Sequence, residues 1–230
     1  MGAGGIGSYL GAMLARSGVD VTLICRGRHL EAIRSHGLAL STPKETFCVE
    51  VKAGGVPQSP VDLVIQAVKL YDLASSTQQM LPMVGPKTTV LPIQNGVTAA
   101  EEIAAVVGAE KVIGGTLFIN AHVVSPGAVS SKSEINTVAF GEFDRKGTPR
   151  VEVLKNLFAN AGIDARISPD IKAEQWRKFI PVAGLSALSC LCRQPIGPIR
   201  EDPALRKLYR QAMAEVAALA AAKGVARSRI

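Results

Sequence analysis

Six residues near the start, Gly2-Ala3-Gly4-Gly5-Ile6-Gly7, form the pattern G-x-G-x-x-G. Backbone without side chains can turn tightly and present N–H groups to an anion, and a helix opening behind it adds the positive end of its dipole. In a dinucleotide-binding turn the first glycine makes the turn. The second lets the backbone approach a pyrophosphate, and the third lets helix and strand pack closely. Glycine-rich turns are common, so context decides. Here a helical pattern over 8–17 and a β-branched run over 19–24 follow at the expected spacing. That run ends in Cys25-Arg26-Gly27-Arg28. A residue that reads a ribose 2′-hydroxyl would be acidic, about 20 residues past the glycines. Arg26 instead offers charge-assisted, often bidentate bonds to phosphate, which points to the 2′-phosphate of NADP rather than to NAD. The plainer alternative is a solvated basic loop.

The elements that must position these groups alternate. Strands are predicted over 19–24, 63–68, 88–92 and 112–119, and helices over 8–17, 29–35, 70–81 and 99–107. Strand and helix alternating at this spacing argue for a parallel sheet covered by helices, an α/β doubly wound arrangement. Residues 129–140 read as shorter, antiparallel strands around polar turns, 150–160 as a helix ended by Gly162, and 163–168 as the close of that region. Beyond Pro169 the pattern changes to long helices. One helix is predicted over 170–192 with Pro181 bending it, then a turn over 195–199. A last helix is capped by Asp202, has Pro203 at its first position and stops at Gly224. The predicted organisation is a Rossmann-like domain over 1–168 and an all-helical domain over 169–230. A glycine turn of this kind follows a strand of about five residues, yet only Met1 precedes Gly2. Either the sequence is a fragment or its start has been placed too late; if the strand is absent, the expectation is an unfilled central position in the sheet. Each backbone group left buried and unpaired beside it would cost about 1–3 kcal/mol.

Composition narrows the class. Among 230 residues, 47% are apolar and 20% charged, enough for a sizeable core and unlike a disordered chain. The longest nearly apolar run, 179–192, is 14 residues, short of the roughly 20 that span a bilayer, and reads as a buried helix. Neither a membrane span nor a secretory signal is expected. Residues 1–170 hold 15 basic and 15 acidic residues, and residues 171–230 hold 11 and 4, so the whole net charge of +7 lies in the last 60. The 10 aromatics do not interleave with these charges, which disfavours nucleic acid and favours a small anionic substrate or an acidic partner segment. Cys25, Cys48, Cys190 and Cys192 form no C-x-x-C pair, and His29, His36 and His122 complete no zinc spacing. No metal site is expected, Cys190 and Cys192 read as buried small hydrophobes, and the chain reads as cytoplasmic and reduced.

Several segments, taken in order, resemble the ketopantoate reductase (2-dehydropantoate 2-reductase) family. They are Gly2 to Gly7, Val21-Thr22-Leu23-Ile24-Cys25-Arg26, Ala67-Val68-Lys69, Pro92-Ile93-Gln94-Asn95-Gly96-Val97, Glu174-Gln175-Trp176-Arg177-Lys178-Phe179 and Pro195-Ile196-Gly197. The glycine loop is generic; Ala67-Val68-Lys69, Gln94-Asn95-Gly96 and the W-x-K-F of Trp176 to Phe179, in this order, are much more specific. The resemblance implies a Rossmann domain and a helical domain with NADPH and substrate in the cleft between them. It implies NADPH-dependent reduction of a 2-keto acid in pantothenate synthesis. Carried over residue by residue, Gly2, Ala3, Gly4, Gly5, Ile6, Gly7, Arg26 and Lys69 would hold the cofactor, with Ala121 nearby. Asn95 would meet both nicotinamide and substrate, Gly96 would allow close approach, and Lys178 would be the catalytic lysine and a substrate contact.

Elementary chemistry suits these roles. A ketone accepting hydride develops negative charge on oxygen, which an ammonium can stabilise and protonate. A lysine in an apolar helix has its pKa lowered by desolvation. Read without the resemblance, Lys178 is a snorkelling lysine beside Trp176 and Phe179, Asn95 a turn residue before Gly96, and Lys69 a strand-end lysine in solvent. Better-known members carry two asparagines on the turns after the catalytic lysine; here those positions are Val182 and Ser186. Ser186 can still bond a substrate, whereas Val182 cannot, so the departure bears on which keto acid is used. The family's further serine and glutamate would fall beyond Ile230, as would helices covering Met213, Val216, Ala217 and Ala220. The expected partners are a small anionic 2-keto acid and, for assembly, a second copy in a homodimer. The alternatives are a non-catalytic NADP-binding fragment and a reductase of a different 2-keto acid.

Overall fold

Short β-branched runs and the amphipathic stretches between them become the strands and helices of the first 171 residues. The computed structural model describes residues 1–225. In chain order the elements begin with α1 (Gly5–Arg16), β1 (Thr22–Ile24), α2 (Gly27–His36), β2 (Leu38–Ser41), β3 (Thr46–Val49) and β4 (Lys52–Gly54). There follow β5 (Leu63–Gln66), α3 (Leu73–Gln79), β6 (Thr89–Pro92), α4 (Ala99–Val107), β7 (Gly114–Ser125) and β8 (Ala128–Gly141). The series ends with α5 (Pro149–Asn160), β9 (Asp164–Ile167), α6 (Ile171–Cys192), α7 (Ile196–Glu201) and α8 (Pro203–Ala222). The chain divides into two units, one of residues 1–94 and 98–171, the other of Asn95–Val97 and 172–230.

In the first unit β1 pairs with β4 and β5 with β6, both parallel, and Val112 bridges to Val90 beyond β6. No ladder joins β1 to β5 among the described residues. Residues 1–3 lie between their carboxyl ends instead. Gly2 N–H and Ala3 N–H donate to the Ile24 carbonyl (3.2 and 2.9 Å), and Ala67 N–H donates to the Met1 carbonyl (2.8 Å). Side-chain alternation sends Leu63, Ile65 and Leu91 to a core shared with Leu10 and Leu14 of α1 and Phe158 of α5. Val64 and Val90 point the other way, to a core with Leu73 of α3 and Ile103 of α4. Helices therefore cover both faces, as the doubly wound reading requires. A second, mixed sheet has the order β3-β2-β8-β7, with β9 beside β8.

Three expectations are corrected. The helix over 70–81 is divided into 3₁₀ turns at 70–72 and 81–83 around α3. Ser75, Ser76 and Thr77 turn their hydroxyls back onto the carbonyls of Asp72 and Leu73, competing with the ladder. Pro82 then disfavours helix at Leu81. Residues 129–140 belong to one 14-residue strand, β8, antiparallel to β7. The polar stretch is absorbed as a bulge: the register passes from Ile119 opposite Asn136 to Ala121 opposite Ser131. Residues 195–199 are not a turn but open α7. Pro195 is its N-cap and Pro198 falls in the first turn, where no backbone donor is needed. The short strands β2, β3 and β4 were not anticipated.

In the helical unit, Trp176, Ile180, Gly184 and Leu188 recur every fourth residue of α6 and are buried. A Cβ on Gly184 would lie 3.1 Å from the Tyr209 ring and 3.3 Å from Met213, so glycine lets α8 approach. Tyr209 donates its hydroxyl to the Pro181 carbonyl (3.0 Å). Asp202 caps α8 by accepting from Leu205 N–H (2.8 Å). The end of α6 is not buried as expected: Leu191 is 79% exposed, Cys190 is exposed and Cys192 half-buried. Among the described residues no helix is long and apolar enough to cross a membrane, and no metal-binding cluster occurs.

Candidate functional site

Each glycine of the loop is required for a different reason. Gly2 has φ +85°, a left-handed conformation, and packs against Val68. A Cβ on Gly7 would run into the Gly2 carbonyl and lie 3.3 Å from Ala67, and one on Gly5 would run into the Ala121 carbonyl. Around Gly4, by contrast, there is open space. The loop is therefore packed from behind at its first, fourth and sixth positions and left open at its third. This cradle fits a pyrophosphate approaching Gly4.

The helix behind it adds donors. The first helical bond of α1 runs from Ser8 N–H to the Gly4 carbonyl (2.9 Å). The N–H groups of Gly5, Ile6 and Gly7 precede it and have no partner within the helix. No acidic residue occupies the first turn, so nothing there opposes an anion. Ile6 is half-buried and Ala3 buried.

Two cations flank the cradle. Arg26 stands two residues past Ile24, whose carbonyl holds the loop, and caps α2 with extended backbone. Its side chain is exposed. Lys69 follows Val68, which touches Gly2, and is also exposed. Ala121, on β7 beside the bulge, supports the loop through its carbonyl at Gly5. Gly2, Ala3, Gly4, Gly5, Ile6, Gly7, Arg26, Lys69 and Ala121 thus lie in the first unit, around the carboxyl ends of β1 and β5.

Asn95, Gly96, Lys178 and Ser186 lie in the helical unit. Asn95 is exposed, and Gly96 has φ +111°, which a side chain would disfavour. Lys178 lies two residues beyond Trp176, about 200° round the helix from the buried row. Trp176 and Phe179 meet edge to face with centroids 5.9 Å apart. Burial pulls the Lys178 ammonium down from its ordinary value to about 8. Val182 and Ser186 continue its row at four-residue steps, half-buried and exposed respectively.

Two features escaped the sequence reading. Gln94, beside Asn95, has both amide atoms enclosed with no partner among the described residues. Ser8 and His29 hydrogen bond to one another (3.1 Å), and His29 also accepts from Gly127 N–H (3.0 Å). The serine after the third glycine was visible as a signal; a partner 98 residues away from His29 was not.

Comparison with known proteins gives two family matches, Ketopantoate reductase PanE/ApbA over residues 1–145 and Ketopantoate reductase PanE/ApbA C terminal over 170–229. A 2-dehydropantoate 2-reductase of Mesorhizobium japonicum is 30% identical over 247 residues, covering 97% of this chain and 76% of that protein. The crystal structure of 2-dehydropantoate 2-reductase from Geobacter metallireducens matches with a TM-score of 0.93 at 35% identity, covering 100% of this chain and 77% of that one. A D-mandelate dehydrogenase solved with NADH and anilino(oxo)acetate matches with a TM-score of 0.88 at 23% identity, covering 99% and 74%, a likeness of fold alone.

Proposed function

The chain belongs to the ketopantoate reductase family, and on that premise we propose that it reduces ketopantoate to pantoate with Lys178 as the catalytic group. It is an oxidoreductase and its cofactor is NADPH. When bound, NADPH supplies the hydride. The open cradle at Gly4 and the N–H groups of Gly5, Ile6 and Gly7 would hold the pyrophosphate, Arg26 would take the 2′-phosphate, and Lys69 would add a second cation. Asn95 orients the substrate, and Ser186 bonds its hydroxyl or carboxylate.

Lys178 carries the chemistry. Its Nζ donates a hydrogen bond to the substrate carbonyl oxygen and stabilises the negative charge that develops there. It then delivers its proton to that oxygen, leaving a neutral amine that solvent reprotonates. An ammonium with a pKa of about 8 is charged at neutral pH yet a better acid than an ordinary lysine. The half-buried Lys178 on the W-x-K-F segment of a chain that matches this family is the single observation that carries the proposal.

The test is loss of NADPH absorbance with ketopantoate, a pyruvate-like acid and bulkier 2-keto acids. Turnover of ketopantoate at the highest kcat/KM is expected. A second reading, reduction of a different 2-keto acid, is favoured by Val182, which offers no hydrogen bond where better-known members place an asparagine. Turnover of a bulkier acid alone would select it. No turnover with any acid would select a non-catalytic NADP-binding protein.

A further inference from the structure

His29 belongs to none of the motifs above, yet both its ring nitrogens are committed. Gly127 N–H lies 3.0 Å from Nδ1. A backbone N–H only donates, so Nδ1 must present its lone pair. The ring proton of the neutral imidazole is then on Nε2, which lies 3.1 Å from Ser8 Oγ. Ser8 in turn donates its hydroxyl proton to the Ala3 carbonyl (3.0 Å), so its oxygen must accept from the ring. The two ends independently demand the same tautomer. A one-way chain of hydrogen bonds runs from Gly127 through His29 and Ser8 to Ala3.

That chain ends inside the glycine loop. Ser8 is fully buried. Ala3 is fixed on its other side by the bond from its N–H to the Ile24 carbonyl (2.9 Å). In a continuing helix the Ala3 carbonyl would be the acceptor for Gly7 N–H, four residues on. The Ser8 hydroxyl takes that carbonyl instead, and a carbonyl so held cannot turn its negative end toward a phosphate. Burial lowers the His29 pKa below its ordinary value, which keeps the ring neutral and the chain of bonds intact at pH 7.

We propose that His29 is a positioning residue for the dinucleotide site, fixing Ser8 and the Ala3 carbonyl so that the donors of Gly5, Ile6 and Gly7 face the pyrophosphate. The inference rests on the NADPH reading above and adds to it a residue that touches neither cofactor nor substrate.

Two measurements on the full chain test it. Nitrogen-15 NMR of labelled histidine, without cofactor, should show His29 with a pyridine-like Nδ1 and a pyrrole-like Nε2. The reverse tautomer would overturn the proposal whether or not any variant folds. Fluorescence titration with NADPH should show His29→Leu weakened by about tenfold, the size of one hydrogen bond. His29→Gln, which keeps a donor toward Ser8, should bind within about threefold of the unmodified protein. Ser8→Ala should match His29→Leu, and the double variant should be no weaker than either alone. Normal binding by His29→Leu, or failure of glutamine to rescue, would overturn the role of His29 while leaving the cofactor reading intact. Failure of the unmodified protein to bind NADPH would overturn the cofactor reading and this role together.

Discussion

At the scale of single residues the proposal turns on the Lys178 ammonium. On the proposed mechanism, replacement by alanine removes the acid and the charge that stabilises developing alkoxide. The expected result is a kcat lower by about a hundredfold or more with NADPH affinity unchanged, read by steady-state kinetics beside a binding titration. Its protonation gives a pH signature of definite sign. The proposed reaction uses the charged form, so kcat should fall as pH rises through about 8, where the group titrates. Stability moves the opposite way. The folded protein loses this proton at a lower pH than the unfolded chain, whose lysine titrates near about 10.4. Between those values the unfolded state binds more protons, so unfolding free energy from Lys178 should rise with pH. Denaturant midpoints at pH 7, 8 and 9 would check this. Arg26 is the second residue-scale test. Arg26→Ala should weaken NADPH selectively over NADH by about tenfold, one charge-assisted hydrogen bond; equal weakening of both would refute its contact with the 2′-phosphate.

At the scale of elements, the turn between residues 1–3 and α1 separates packing from binding. Gly4 has open space where a side chain would begin, and its backbone is in an ordinary extended conformation. Gly4→Ala should therefore melt within about a degree of the unmodified protein yet bind NADPH at least about tenfold more weakly, since the methyl group occupies the cradle. Gly7→Ala meets the Gly2 carbonyl and should cost about 1–3 kcal/mol of stability through overpacking. Calorimetry beside a binding titration distinguishes the two. The element patterns were legible where the cause was local. Asp202 and Pro203 announced the start of α8, and the β-branched runs announced β1, β5 and β6. They were not legible where side chains compete with the backbone, as Ser75, Ser76 and Thr77 do at α3, or where a bulge hides a polar stretch inside a long strand, as in β8.

At the scale of the whole molecule, the cofactor should act on stability as well as on chemistry. Binding to the folded state alone adds about 2.7 kcal/mol at a hundredfold excess over Kd, so NADPH should raise the melting temperature by several degrees and NADH by less; no shift with either would contradict the assigned cofactor. The sequence by itself determined where β1, β5, β6 and α8 lie and where the glycine turn falls, though not β2, β3, β4 or α7. It also set the sign of the charge that follows β1 and the family to which the chain belongs. The elements, the turn and the charge depend on short-range sterics, side-chain period and residue type, which a linear chain carries openly, while the family shows in the order of its motifs. Only the tertiary structure decided that Ala121 backs Gly5, that Val68 backs Gly2, and that His29 finds its acceptor role against Gly127, 98 residues away. Such contacts are set by how sheets and helices close over two apolar cores, and no local preference of the residues involved encodes them.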